Sequence, residues 1–434
     1  MNTTPIDVSL RALSAGECDL SFEEYRLQRL KDTVKYAKEN SPWYQKRLNT
    51  EPEDLTGIED LRKLPFTEPD DLAQGEYEFL CISRSAVEKY TSFVSSGTTG
   101  PRKSVFFSHR DVEHITDFLG SAMHSVAPRG CTIQILLPNS PTRGMGDLLR
   151  EGIAKYGSRG FLSDIFLPPE EHIRLCIENR PYLWFGDARL IYRITRETES
   201  SFDLKALGVK VMFTTISEIS DSMRKAIEKA WGCRVVTHYG LTEMGFGLAV
   251  DCPESCGYHY NEFGVIAEVV DPQSGEILPE GREGELVFTA LGREAMPLIR
   301  YRSHDIASIK SGPCRCGANL SVISHVKRRR EAIIWYNGME LYPTLFDESM
   351  FSNDRVIDYE IYLDQEEGII RFEAECIDAP ENYEAEIAKS LCEHPALRDL
   401  EIEIKLLPLH ALVSGAHFKK LIHLERAAGS VTSE

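Results

Sequence analysis

The sequence predicts an α/β protein. A large N-terminal domain (1–327) has mainly parallel sheets flanked by helices plus a β-rich subdomain, and a small α+β C-terminal domain (328–434) follows. Three observations carry this expectation. The chain has 434 residues, too many for one compact core and enough for two or three domains. Between residues 132 and 236, short apolar runs alternate with amphipathic stretches, the pattern of a sheet covered by helices on both faces. From residue 265 onward strands joined by polar turns replace that alternation, and a basic run, Lys327-Arg328-Arg329-Arg330, marks a further change of pattern.

Residues 1–65 read as helical and peripheral. Tyr25, Leu27, Leu30, Val34, Tyr36 and Ala37 recur at helical spacing, and Pro42-Trp43-Tyr44 turns the chain. Residues 88–107 read as strand, loop and strand. Ser108-His109-Arg110-Asp111 suits the cap of a helix starting near Val112. The apolar run 132–137 is a buried strand, 138–146 a loop, and 147–156 and 170–179 helices. Strands follow at 182–185, 209–213 and 234–236, separated by helices at 190–196 and 220–231, the second with Met223, Ala226, Ile227 and Ala230 inward. Ligands of such sheets sit at the carboxyl ends of the strands. Residues 265–270 and 284–289 read as more antiparallel strands, with turns at 271–275 and 279–281, and 307–310 extends them. Beyond the basic run, 359–363, 369–374 and 400–406 are strands and 381–392 is a helix.

The composition excludes several classes. Apolar residues make up 42% and charged residues 27%, ordinary for a globular protein. The formal net charge is −19, from 49 Lys and Arg against 68 Asp and Glu. A field of that sign disfavours nucleic acid and anionic membranes as partners. No apolar run approaches the roughly 20 residues of a membrane span. The first 19 residues are polar and acidic and lack a signal-peptide core, so the expected compartment is the cytoplasm. Eleven cysteines in that compartment point to thiols or metal rather than disulfides.

The densest chemistry lies in Ser95-Ser96-Gly97-Thr98-Thr99-Gly100-Pro101-Arg102-Lys103. Two glycines let the backbone approach a ligand, and successive N–H groups, four hydroxyls and two cations suit polyphosphate. The spacing differs from a Walker loop, and a plain Ser/Gly/Thr hairpin has the same composition. Three later stretches bear on the choice. In His238-Tyr239-Gly240-Leu241-Thr242-Glu243, which leaves a strand end, Tyr239 suits a base, Thr242 a phosphate and Glu243 Mg²⁺. In Ile299-Arg300-Tyr301-Arg302-Ser303-His304-Asp305, Asp305 can accept two ribose hydroxyls. The third stretch is Trp335-Tyr336-Asn337-Gly338-Met339-Glu340-Leu341-Tyr342-Pro343.

Together and in this order, the four stretches resemble the adenylate-forming superfamily of acyl-CoA synthetases, in its phenylacetate–CoA ligase-like branch. The resemblance covers nearly the whole chain, and residues 284–306 (GELVFTALGREAMPLIRYRSHDI) are particularly characteristic of the branch. It implies that Ser95, Ser96, Gly97, Thr98, Thr99, Gly100 and Lys103 surround the triphosphate of ATP. Tyr239, between His238 and Gly240, packs near adenine, Thr242 touches the α-phosphate, Glu243 holds Mg²⁺ and Asp305 binds ribose. Arg328 contacts ribose or phosphate, and Gly338 lines the pantetheine tunnel of coenzyme A. The implied reaction joins an aryl or related small carboxylic acid to ATP as an acyl-adenylate and then to coenzyme A. An amine or a carrier-protein thiol as acceptor, or a degenerate non-catalytic nucleotide-binding protein, are the alternatives. The implied small domain is mobile about a hinge at 328–330, and the implied assembly is a homodimer.

For the acid, the expected pocket lies among Arg143, Gly144 and Met145, the strand end Phe185-Gly186-Asp187, and His238 to Gly240. Arg143 reads equally as a surface or structural residue. Cys252-x₆-His259 and Cys314-x-Cys316 offer three thiolates and one imidazole, a structural Zn²⁺ set. Cys256 competes as a ligand, free thiols are the alternative, and cysteines at both places are frequent in the branch. Two departures stand out. The hinge holds Arg330 and Glu331 where the branch has an acidic pair. Near the C-terminus, either His417 or Lys419 falls at the position of the family's catalytic lysine, and a neutral imidazole would stabilise the phosphate charge less.

Overall fold

The structure, a computed structural model, describes residues 21–93, 102–139, 143–215, 218–254, 256–326, 328–398, 400–412 and 422–425. Ser95 to Gly100, His417 and Lys419 lie outside the described residues. The chain forms two compact units, one of residues 1–131, 140–161 and 236–326, the other of 132–139, 162–235 and 327–434.

In the first unit, helix Phe22–Asn40 opens on a capping box in which Ser21 accepts from the Glu24 amide and Glu24 accepts from the Ser21 amide. Leu30, Val34 and Ala37 are its buried stripe. Strands Lys89–Phe93 and Lys103–Phe107 form an antiparallel hairpin, with Phe93 opposite Lys103. The next helix, His109–His124, starts three residues before the expected Val112, because Ser108 and Asp111 close a second capping box. It packs closely on helix Met145–Ala154: a Cβ on Gly120 would lie 2.4 Å from the Gly152 carbonyl oxygen.

Strands Val265–Val270, Gly284–Ala290 and Tyr301–Ala307 of this unit form an antiparallel sheet, as the alternation and polar turns predict. The third bulges between its contacts with Glu285 and Val287; the expected extension over 307–310 stops at Ala307, since Ile309–Lys310 pairs with Val322–Ile323 in another sheet. Arg300, just before this strand, and His304, within the bulge, adopt positive φ, 47° and 61°. A second antiparallel set pairs Tyr239 with Ala249, strand Ala249–Asp251 with Tyr258–Tyr260, and Tyr258–Tyr260 with Val322–Ile323.

The second unit contains the expected parallel pairing. Strand Leu183–Asp187 lies between Thr132–Leu136 and Val211–Thr215, parallel to both. Helices Pro169–Asn179, Ala188–Thr198 and Asp221–Trp231 accompany it, and the last buries Met223, Ile227 and Trp231. Ala226 and Ala230 are half-buried against the same core. The C-terminal section has an antiparallel pair, Val356–Asp364 with Ile369–Cys376, extended in parallel by Glu401–Leu407 on one side and Ile422–Glu425 on the other. A short hairpin, Ile334–Tyr336 with Met339–Leu341, turns at Asn337 and Gly338. Both have positive φ, 48° and 77°, the conformation that favours Asn-Gly in two-residue hairpin loops.

One apolar core runs through this unit. Ile191 and Tyr192 share it with Phe346, Phe351, Val356 and Tyr359. Buried charge crosses the same boundary. Arg189 reaches Asp347 at 2.5 Å, Arg193 pairs with Glu375, and Tyr192 donates to the Val356 carbonyl at 3.2 Å. Residues 328–434 are thus packed with 162–235 in one unit, a grouping that the chain-order boundary at 328 does not express.

Candidate active site

Strand Arg234–Tyr239 ends where the chain turns sharply: a Cβ on Gly240 would lie 1.7 Å from the Phe246 carbonyl oxygen. The short 3₁₀ turn Thr242–Met244 follows and closes on Gly245, whose φ is +90°. This turn brings Tyr239 and Glu243 to strand Tyr301–Ala307. Tyr239 donates its hydroxyl hydrogen to Asp305 Oδ2 at 2.6 Å, and Tyr301 donates to Glu243 Oε1 at 2.6 Å. Lys103, on the strand after the expected phosphate loop, lies 3.5 Å from Glu243 Oε1 and 3.5 Å from the Tyr301 hydroxyl. All five side chains are buried. Arg293 donates to the Glu243 carbonyl and stands 5.1 Å from the centroid of the Phe107 ring.

Three separate stretches of the sequence reading therefore meet in one place, with Lys103, Tyr239, Glu243 and Asp305 as expected members. Chemically, the cluster offers a cation at the start of strand Lys103–Phe107, a carboxylate able to hold a divalent cation, and a second carboxylate able to accept hydroxyls. The Tyr239 ring is itself packed, 6.1 Å from Tyr258 and 6.0 Å from Phe288. His238 is half-buried, and burial pushes its pKa down to about 4, so it is neutral at pH 7. Thr242 opens the 3₁₀ turn and is half-buried. Sequence reasoning missed Tyr301 and Arg293. Tyr301 sat inside a noted stretch, but a tyrosine between two arginines carries no sign of its partner.

The expected acid-binding residues have local roles in the structure. Arg143 is exposed and paired with Glu151 at 2.7 Å and with Glu88, which matches its structural reading. Gly144 is the N-cap residue of helix Met145–Ala154, and Met145 is its half-buried first residue. Phe185 is a core ring stacked 5.7 Å from Phe213. A Cβ on Gly186 would lie 2.7 Å from Leu136 Cβ. Asp187 caps helix Ala188–Thr198, accepting from the amides of Arg189 at 2.9 Å and Leu190 at 3.1 Å. Arg328 donates to Glu340 at 2.6 Å, and Gly338 supplies the hairpin turn.

The sulfur and imidazole set also converges. The ligand atoms of Cys252, His259, Cys314 and Cys316 lie within 4.8 Å of one another. Cys252 Sγ is 3.5 Å from Cys314 Sγ, and His259 Nε2 is 3.2 Å from Cys316 Sγ. Tight turns present them: the Cys252 amide donates to the Gly257 carbonyl, and the Cys314 amide to the Ala318 carbonyl. Around a tetrahedral ion with bonds of about 2.0 Å to nitrogen and 2.3 Å to sulfur, donor atoms stand roughly 3.5–3.8 Å apart. The four donors therefore fit a structural zinc ion. Cys256 falls outside this group, 3.7 Å from an Arg315 nitrogen.

The fold and site define the class. Residues 89–292 match the family of AMP-binding enzymes. The chain belongs to the adenylate-forming superfamily, in its phenylacetate–CoA ligase-like branch. It is 30% identical over 368 residues to the phenylacetate–coenzyme A ligase of Aromatoleum evansii, covering 81% of this chain and 80% of the relative. It is 28% identical to that of Pseudomonas putida, covering 82% and 83%. Among solved structures, 2-hydroxyisobutyryl-CoA ligase in the postadenylation state, with R3-HIB-AMP bound, shares the fold. The TM-score is 0.79 at 18% identity, covering 92% of this chain and 88% of that one. An anthranilate CoA ligase in complex with anthranoyl-AMP superimposes with a TM-score of 0.57 at 14% identity, over 75% and 64%. Among the described residues, no helix is long and apolar enough to cross a membrane.

Proposed function

We propose that this chain is an ATP-dependent carboxylate–coenzyme A ligase acting on an aryl or related small acid. What supports the reading most is a single observation. Glu243 and Lys103, from stretches far apart in sequence, stand 3.5 Å apart beside the Tyr239–Asp305 pair. An acid carboxylate attacking the α-phosphorus meets the charge of a triphosphate, and two anions repel each other. In this reading Lys103 and the backbone donors of residues 95–100 hold the phosphates and offset that repulsion. Asp305, oriented by Tyr239, binds the ribose hydroxyls, and Thr242 lies near the α-phosphate. Glu243 holds Mg²⁺, which when bound neutralises phosphate charge. Pyrophosphate leaves, and the acyl-adenylate passes its acyl group to the coenzyme A thiol. Lys419, or His417 in its place, is assigned to the attacking carboxylate. Gly338 is assigned to the pantetheine path, and Arg328 to ribose or phosphate.

Cys252, His259, Cys314 and Cys316 hold a structural zinc ion that ties two loops together. In this reading the small domain turns about residues 328–330 between the two half-reactions, so its contacts with residues 162–235, the Arg189–Asp347 and Arg193–Glu375 pairs among them, hold in one and part in the other, and the enzyme works as a cytoplasmic homodimer. ATP–pyrophosphate exchange with a panel of aryl and small aliphatic acids tests the adenylation. AMP release that depends on coenzyme A tests the acceptor. Exchange with no acid in the panel would sink the first claim. Hydroxamate formation from hydroxylamine with no coenzyme A effect would sink the second.

A further inference from the structure

We propose that Tyr301 is a positioning residue for this site: its hydroxyl sets the direction in which Glu243 presents its carboxylate to the divalent cation of Mg·ATP. The proposal rests on the adenylation reading above. Tyr301 is 2% exposed and donates to Glu243 Oε1 at 2.6 Å. Lys103 approaches the same oxygen at 3.5 Å and the same hydroxyl at 3.5 Å. Both contacts fall on Oε1, which pins the carboxylate by one oxygen.

The tyrosine is itself held from behind. Arg300, directly before it, has a φ of +47°, a conformation unfavourable for a non-glycine residue that persists only where its surroundings enforce it. Here they do. The Arg300 guanidinium is bidentate to Glu268 at 3.0 and 3.1 Å, donates to the Leu64 carbonyl at 3.0 Å, and stands 4.0 Å from the centroid of the Phe66 ring. These contacts anchor the backbone beside Tyr301 through groups other than Glu243 and Lys103.

With Mg·ATP bound, Glu243 would keep the Tyr301 bond and hold the cation, leaving Lys103 to meet phosphate while Arg293 stays beside Glu243. A buried carboxylate separated from every positive charge is costly. Metal and nucleotide binding are accordingly coupled through this carboxylate, and Tyr301 fixes the geometry of the exchange.

Calorimetric titration with Mg·ATP, and with ATP in excess chelator, tests this on wild type, Tyr301→Phe, Glu243→Gln and the double variant. Tyr301→Phe is expected to weaken Mg·ATP binding roughly tenfold, the scale of one hydrogen bond to a charged group, and to change metal-free ATP binding by less than about twofold. Glu243→Gln, which keeps volume and Tyr301, loses affinity in the metal arm alone. On that background Tyr301→Phe adds no further loss. A merely structural tyrosine would weaken both arms together, and that result, or an unchanged Tyr301→Phe, overturns the proposal. Should Tyr301→Phe not fold, Glu243→Gln decides: a loss spread equally over both arms overturns it. Wild type that fails to bind Mg·ATP marks failure of the adenylation reading instead.

Discussion

Tyr239 and Asp305 are joined at 2.6 Å across 66 residues of sequence, and both are buried. The hydroxyl takes one carboxylate oxygen, and in the proposed reading this orients Asp305 toward the ribose. Removing a donor from a buried carboxylate costs about 1–3 kcal/mol. Tyr239→Phe is therefore expected to raise the KM for ATP about tenfold while leaving kcat within a few-fold. Steady-state kinetics at saturating acid and coenzyme A checks this, and an unchanged KM would remove Asp305 orientation from the role of Tyr239.

The zinc assignment separates four cysteine positions by geometry. Cys316 Sγ stands 3.2 Å from His259 Nε2, whereas Cys256 lies outside the cluster. Purified protein is expected to hold about one zinc per chain, the stoichiometry of a structural site. Cys316→Ser should lower that content and the melting temperature together, because the binding energy of a structural ion is folding energy. Cys256→Ser should change neither. Elemental analysis of the two variants decides, and metal-free, fully active wild type would sink the assignment.

Sequence and structure part company at identifiable places. That Lys103, Tyr239, Glu243 and Asp305 gather in one place was legible because each lies in a short stretch rich in chemistry at a strand end. The start of helix His109–His124 was misplaced because the apolar pattern begins at Val112, whereas the Ser108–Asp111 capping box starts the helix earlier. Asp187 read as a pocket carboxylate, and its capping role shows only once the helix is known to begin at Ala188. The pairing of Arg193 with Glu375 spans 182 residues. Each partner alone resembles an ordinary surface charge, so that contact has no local signal.

That pair supports a stability prediction. Glu375 is fully buried and also accepts from the amides of His410 at 3.0 Å and Leu412 at 3.1 Å. Arg193→Met leaves this carboxylate without its main counter-charge. Breaking a buried pair from one side costs about 3–5 kcal/mol. The variant is expected to lose that much against chemical denaturation. A loss under about 1 kcal/mol would place the pair with weakly contributing surface bridges.

A pH dependence follows from His172. It is fully buried, its Nδ1 lies 2.6 Å from Ser163 Oγ, and burial lowers its pKa from 6.5 to about 4. The unfolded chain binds this proton below about pH 6.5, while the folded chain resists it until about pH 4. Between those values the unfolded state carries more protons, so stability falls as pH falls through the window and levels off below it. The loss from this one group is on the order of 3 kcal/mol, at about 1.4 kcal/mol per unit. His172→Gln should flatten the pH 6.5 to 4 slope by that amount, whatever its effect on stability at pH 7. Denaturation curves at several pH values measure it, and an unaltered slope would show that His172 titrates normally in the folded protein.

The assignment of the catalytic cation near the C-terminus is testable without knowing the acid's natural identity, provided one acid supports exchange. Lys419 carries a full charge at pH 7, and an attacking carboxylate needs that charge at the α-phosphate only during adenylation. Lys419→Ala is therefore expected to reduce ATP–pyrophosphate exchange by a factor on the order of 10²–10³, the loss seen when one transition-state donor is removed. Supplied with preformed acyl-adenylate, the same variant should still transfer the acyl group to coenzyme A at near wild-type rate. His417→Ala in parallel distinguishes the two candidates: if the imidazole holds the position, the loss moves to that variant, and the wild-type exchange rate falls as pH rises through the imidazole pKa. Equal and small effects in both variants would remove this segment from the first half-reaction.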